Sequence, residues 1–331
     1  MSDMGSHLVD ATAAANAGAS VVKASVVNRL AIIGIGLIGS SIARAARQHG
    51  LAGAIAIADA SPEAVATASR LGLGDACGTD AAAAVADADL VILCVPVGAM
   101  GQVGAAIACA LKPGAIVSDV GSVKGAVMAQ LAPHLPGGVH LIPAHPVAGT
   151  ENSGPEAGFA TLFHNRWCII TPPEGASQQA VDALCAFWAG MGANVETMSA
   201  ERHDLVLAVT SHLPHLIAYN IVGTAADLEQ VTRSEVIKFS AGGFRDFTRI
   251  AASDPTMWRD IFLNNKDAVL EMIGRFNEDL AALARAIRWG DGDALFELFT
   301  RTRAIRRGII DSGQETAEPD FGRRHEDDAT A

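Results

Sequence analysis

The chain has 331 residues, 50% of them hydrophobic and 18% charged, with a formal net charge of −12. That length allows two domains with cores of their own, since domains run roughly 100–200 residues. The acidic balance argues against a general affinity for nucleic acid or anionic membranes, so an anionic ligand needs a local cluster of cations. The five cysteines include no CxxC pair, which fits buried thiols in a reducing compartment, hence a cytoplasmic protein, better than a disulfide framework. No uninterrupted apolar run reaches the roughly 18 residues of a membrane span.

Taken in order, residues 1–28 read as a disordered leader rich in Ala and Ser, without a basic n-region or an apolar h-region. "RLAIIG" (29–34) is a short apolar run ending in glycine, followed by a helix from Leu37 to about Gln48. "GAIAIAD" (53–59) is a second strand, and Ser61-Pro62 has the N-cap and N1 arrangement of a following helix. "ADLVILCVP" (88–96), "GAIVSDVGS" (114–122), "GVHLIPAHP" and "NRWCIITP" each read as a further strand. Apolar runs alternating with helices predict βαβ units and a parallel sheet buried on both faces. From Ser199 to about Ile310 the pattern is helical throughout, and from about Gly313 the end reads as a frayed polar tail. The expected division is 29–197 for an α/β nucleotide-type domain, 198–312 for a helical domain, and 313–331 for the tail.

"GIGLIG" supplies Gly34, Gly36 and Gly39 in GxGxxG spacing, with Leu37 and Ile38 opening the helix. The glycines suit a tight turn, a close approach of pyrophosphate and a close helix–strand contact, and the helix N-terminus offers free N–H groups. The motif alone is weak, but here it joins a predicted strand to a predicted helix. Asp59 follows twenty residues after Gly39, at the end of the second strand. Asp59 is either a solvated strand-end acid or the acceptor for both ribose hydroxyls. In the second case it repels a 2′-phosphate and favours NAD over NADP.

Ligands of doubly wound sheets lie beyond the carboxyl ends of the strands, so "VPVG" with Val95 and Pro96, "DVGSVKG" and "AHPVAGTE" face one crevice. There His145 is suited to proton transfer. Ser122 either caps the helix from Val123 or bonds a substrate hydroxyl beside the cofactor. In "TSHLPH", Ser211 and His215 share a helix face, Pro214 is expected to kink the helix, and His212 and His215 are either packing residues or site residues. Arg245 and Arg249, four apart and on one face if helical, suit carboxylates, although Asp246 or Asp254 could pair with one of them structurally. No motif calls for a metal.

The stretches "IIGIGLIGSSIARA", "DVGSVKG", "HPVAGTENSG", "SHLPH" and "GGFRDFTRIAASDPTMW" together resemble the prephenate/arogenate (cyclohexadienyl) dehydrogenase family of tyrosine biosynthesis, from about Arg29 to Arg307. The resemblance implies an α/β Rossmann-type dinucleotide-binding domain followed by an all-helical dimerisation domain of the 6-phosphogluconate dehydrogenase C-terminal type. It further implies that His145 accepts the ring 4-hydroxyl proton as hydride leaves C4 for NAD, with Ser122 near that hydroxyl. Arg249 would grip a substrate carboxylate and His215 would line the side-chain end of the pocket, with Thr150, Glu151 and Trp258 at its rim. The implied partners are the small-molecule substrate and a second subunit. Two rivals remain at this point: a β-hydroxyacid dehydrogenase of the 3-hydroxyisobutyrate or 6-phosphogluconate type, and a non-catalytic NAD-sensing regulator. The first would need a helical-domain lysine such as Lys238 or Lys266; neither gives the ordered His–Ser–Arg set a role.

Overall fold

The computed structural model describes residues 25–150, 152–232 and 242–309. Strands β1 (Val27–Ile33), β2 (Ala52–Ala58), β3 (Ala76–Gly78), β4 (Leu90–Leu93), β5 (Ile116–Asp119) and β6 (His140–Leu141) form a parallel sheet in the order β3-β2-β1-β4-β5-β6. The order reverses between β1 and β4, which opens a crevice at their carboxyl ends, as in dinucleotide-binding sheets. Alternate residues of β1 serve the two faces. Leu30 and Ile32 pack with Leu184, Phe187 and Trp188 on one side; Ala31 and Ile33 pack with Val91, Met100 and Val127 on the other. Each fully buried aliphatic side chain there contributes about 1.5–3 kcal/mol. The strand starts at Val27, two residues inside the segment read as leader. The helices of this domain are α1 (Leu37–Gln48), α2 (Pro62–Arg70), α3 (Ala81–Val85), α4 (Met100–Ile107), α5 (Lys124–Leu131) and α6 (Gln178–Gly190). Ser61 caps α2 by accepting from the Ala64 amide at 3.2 Å, as its sequence position predicts.

"GVHLIPAHP" does not form one strand. It ends in the main sheet at β6, and after Pro143 re-forms as β7 (Ala144–Pro146), antiparallel to β8 (Trp167–Ile170), itself parallel to β9 (Asn194–Thr197). Proline has no N–H for a ladder, and the Pro143 carbonyl instead accepts from Thr171, outside the main sheet. This second sheet is not legible in the sequence, because the β9 residues alternate weakly and are mostly exposed.

The helical part begins at Ser199, whose hydroxyl accepts from the Arg202 amide and caps α7 (Ala200–Leu207). A π-helical turn (Ala208–His212) leads into α8 (Leu213–Thr232). The wide turn sits just ahead of Pro214, where the missing N–H and the ring clash leave an α-helical carbonyl without its bond. By length and composition Ala200–Asp227 could cross a membrane, a property the uninterrupted-run criterion misses because histidines and an aspartate interrupt it. His203, Asp204, His212 and His215 in that stretch are hydrogen-bonded within the protein. Then come α9 (Gly242–Thr248), a 3-10 turn (Arg249–Ala252), α10 (Pro255–Asn264), α11 (Lys266–Trp289) and α12 (Gly292–Ile309). α10 docks on the first domain: the Asp260 carboxylate lies against Gly98, where a Cβ would collide with it, and Gln130 donates to Asn264 at 3.3 Å.

Candidate active site

The glycine loop has the shape its spacing predicts. Gly34 has φ +95°, and a Cβ there would overlap the Cys94 carbonyl; a Cβ on Gly39 would overlap the Gly34 carbonyl. Gly36 faces open space, with nothing within 4 Å of where a Cβ would stand, and α1 has no side-chain cap. The free N–H groups at that N-terminus, with Leu37 and Ile38 in the first turn, suit a pyrophosphate. Asp59 is held by two backbone amides, Ile35 to Oδ2 and Ser61 to Oδ1, each at 2.8 Å. Its carboxylate is therefore fixed at the end of β2, where the ribose of a dinucleotide belongs. Val95 and Pro96 follow β4 at the rim of the same crevice. The residues present fit NAD.

His145 lies inside β7, not past a strand end, and is only 7% exposed. Its Nδ1 is 2.8 Å from His203 Nε2, and His203 Nδ1 is 2.8 Å from Asp204 Oδ1. Burial, then the neighbouring His203, Lys124 and His212, hold the His145 pKa well below 6.5, so the ring is neutral at pH 7. Beneath β7 the fully buried Lys124 ammonium pairs with Asp119 and donates to the Ala144 carbonyl at 2.6 Å. Burial pushes the Asp119 carboxyl up and the Lys124 ammonium down, and their contact opposes both shifts.

On the helical side, His215 stacks on Trp258 with ring centroids 3.7 Å apart, and its Nδ1 bonds the Ser211 carbonyl at 2.9 Å. Burial lowers its pKa, the Ser211 carbonyl opposes that, and the Arg249 guanidinium adds to it. His212 is fully buried, accepts from Asn265 at 3.1 Å, and is lowered to about 4, chiefly by burial. The Trp258 indole N–H is buried and has no hydrogen-bond partner among the described residues.

Residues 42–197 match the nucleotide-binding domain of prephenate dehydrogenase, and residues 199–301 match its dimerization domain. The chain belongs to the prephenate dehydrogenase family. A cyclohexadienyl dehydrogenase of Zymomonas mobilis is 46% identical over 86% of this chain and 97% of its own length. The Bacillus subtilis prephenate dehydrogenase is 34% identical over 84% of the chain and 75% of its own length. A solved structure of the prephenate dehydrogenase from A. aeolicus, in complex with hydroxyphenyl propionate and NAD+, superposes with a TM-score of 0.80 at 36% identity, covering 85% of this chain and 98% of that one.

The structure of this family member revises several expectations drawn from its sequence. Ser122 is not the cap of α5: Val123 holds that position without a side-chain bond, and the capping carboxylate comes from Asp204 in α7. Ser122 is left half-buried on the loop after β5. Arg245 and Arg249 do not lie on one regular α-helix: α9 ends at Thr248 and Arg249 begins a tighter turn. Arg245 is 80% exposed beside Asp246, while Arg249 is half-buried near His215. Asp254 caps α10 through the Met257 amide. Trp258 is not at a rim but in a small core with Val123 and Ile261. Thr150 is half-buried and accepts from the Asn152 amide at 3.2 Å; Glu151 lies outside the described residues, as does Lys238. Reading motifs alone missed His203, Asp204, Lys124 and Asp119. The adjacent His-Asp pair one turn into a helix, ahead of the "TSHLPH" histidines, was the available signal.

Proposed function

We propose that this chain catalyses the NAD-dependent oxidative decarboxylation of prephenate to 4-hydroxyphenylpyruvate and of arogenate to tyrosine, in tyrosine biosynthesis. The observation that carries the reading is a buried, neutral histidine, His145, on a strand whose Ala144 amide bonds Asp119 at the carboxyl end of β5 in a dinucleotide-binding sheet. The broader name of the cyclohexadienyl relative supports including both substrates.

NAD, when bound, supplies the acceptor for the hydride leaving C4. Hydride loss from C4 and loss of carbon dioxide from C1 together make the ring aromatic, so the overall step is strongly downhill and the protein chiefly has to orient its substrate. His145 takes the 4-hydroxyl proton on Nε2, the ring nitrogen His203 does not engage, as charge builds on that oxygen. Ser122 stands on the loop where it can hold the same hydroxyl. Arg249 is assigned a substrate carboxylate, and its role is positioning, because a salt bridge to the departing ring carboxylate would oppose its loss. His215, fixed by Trp258 and Ser211, lines the other end of the pocket with Ser211 and Thr150. Asp59 selects NAD over NADP by like-charge repulsion of a 2′-phosphate.

The functional unit is assigned as a homodimer in the cytoplasm. Exposed apolar side chains on the helical part, among them Val209, Leu280, Ile287, Phe296 and Phe299, support a second copy there. All five cysteines are free thiols, which supports a reducing compartment. Following NADH formation with prephenate, arogenate and 3-hydroxyisobutyrate tests the reading. Activity on both of the first two is expected; activity on only one of them removes the other from the reading, and activity on the third alone contradicts it.

A further inference from the structure

Behind His145 a hydrogen-bonded chain crosses the domain boundary and ends on one carboxylate. Asp204 Oδ1 accepts from the Lys124 amide at 2.7 Å and faces His203 Nδ1 at 2.8 Å, while Oδ2 accepts from the Gly125 amide at 2.9 Å. Burial alone would raise the Asp204 carboxyl, but the bonds from His203, Lys124 and Gly125 outweigh it and hold it below its ordinary value. An ionised carboxylate has no proton to give, so every group facing it must donate. His203 Nδ1 therefore carries a hydrogen. Burial keeps His203 neutral against the opposing pull of Asp204, so its Nε2 is a lone pair. That lone pair meets His145 Nδ1 at 2.8 Å, and His145 Nδ1 must be the donor. One lone pair then remains on His145, at Nε2. The reverse arrangement would set two lone pairs against each other at Asp204.

We propose that Asp204 and His203 are positioning residues that lock His145 in its Nδ1–H form, keep Nε2 as the proton acceptor, and steady the imidazolium formed when the substrate proton arrives. The proposal rests on His145 being the base of the dehydrogenase reaction. Its logic is that of a catalytic triad, where a buried carboxylate fixes the tautomer of a histidine, here with a second imidazole between them. Among the described residues, the other charged or titratable groups near His145 are Lys124 with its partner Asp119, His212, and the buried Cys168 thiol, which meets the His145 backbone from β8. The arrangement is also two-handed. The carboxylate that orients His203 from α7 caps α5, the helix that follows the Ser122 loop, so base and loop are registered by one residue across both domains.

The competing account is that Asp204 and His203 only hold the domains together. Two isosteres separate the accounts. In His203→Asn the amide keeps a donor toward Asp204 but offers nothing to His145; in His203→Gln an amide oxygen reaches the place of Nε2 and can accept. His203→Asn is expected to lower kcat about 10²-fold, within the range for a disabled base, with substrate KM and melting temperature nearly unchanged, and His203→Gln is expected to recover most of that loss. Asp204→Asn should move the acid limb of kcat/KM to lower pH, since the imidazolium loses its distant counter-charge. Long-range 1H–15N spectra of the ligand-free enzyme should show the hydrogen of His145 on Nδ1 in the wild type and divided between both nitrogens in His203→Asn. A wild-type ring protonated on Nε2, full kcat in His203→Asn, or equal losses in both His203 variants would overturn the proposal. If His145→Asn itself keeps full turnover, the reading of His145 as the base has failed instead.

Discussion

Arg249 and Arg245 are the same residue type four positions apart, yet the fold gives them opposite surroundings. Arg249 is half-buried and close enough to His215 to lower its pKa, whereas Arg245 is 80% exposed beside Asp246. Arg249→Gln is therefore expected to raise substrate KM about a hundredfold or more, the lower end of the 3–5 kcal/mol lost when one partner of a buried pair is truncated. Arg245→Gln should change it less than threefold, as for an exposed pair; initial-rate kinetics on the two variants check the contrast, and equal effects would contradict it. NAD affinity should be unchanged in both. At Asp59, held by the Ile35 and Ser61 amides, the pair Asp59→Ser with Ala60→Arg should shift binding toward NADP, as read by titration of both dinucleotides; wild-type protein that binds NADP as well as NAD would count against the assigned role.

At the scale of elements, β7 is a three-residue strand whose place depends on a side chain from elsewhere. Lys124 bonds the Ala144 carbonyl and pairs with Asp119, whose other oxygen accepts from the Ala144 amide at 3.3 Å. Lys124→Met leaves the Asp119 carboxylate buried and unpaired, so unfolding free energy should fall by about 3–5 kcal/mol, measured by urea titration; a loss below about 1 kcal/mol would show that β7 is held by its pairing with β8 alone. The sequence made the main sheet readable because its strands are continuous apolar runs with a glycine turn between elements. It left β7 unreadable as a separate strand, since the switch of sheets turns on one proline and on contacts with β8 more than twenty residues later. His203 and His212 were unreadable as neighbours for a related reason. Nine residues of regular α-helix, at about 100° each, put them on opposite faces. The π-helical turn takes up an extra residue and brings them round, so that Asn265 bonds both the Asp204 carbonyl and His212.

At the scale of the whole molecule, the described residues include three buried histidines, His145, His203 and His212, whose pKa values are pushed down by burial. The unfolded chain takes up these protons near pH 6.5 while the folded chain does not, so stability is constant above that pH and falls as the pH drops below it. For His212, lowered from 6.5 to about 4, the loss amounts to about 3 kcal/mol by pH 4, with the other two acting in the same direction. Urea titrations from pH 8 to pH 4.5 should show a plateau followed by a steep decline, and a flat profile would mean these rings are not held neutral. The succession of an α/β part and a helical part was legible because the pattern changes from strands alternating with helices to helices alone near Thr197. What joins the domains was not, because Asp204, Asp260 and Gln130 are ordinary surface types until the fold brings them together. Proton removal by His145 is the central step, and the turnover of His145→Asn with prephenate and NAD tests it most directly. The expected result is a fall in kcat of about 10²–10⁴-fold with NAD affinity within a few-fold of wild type; unaltered kcat would contradict it.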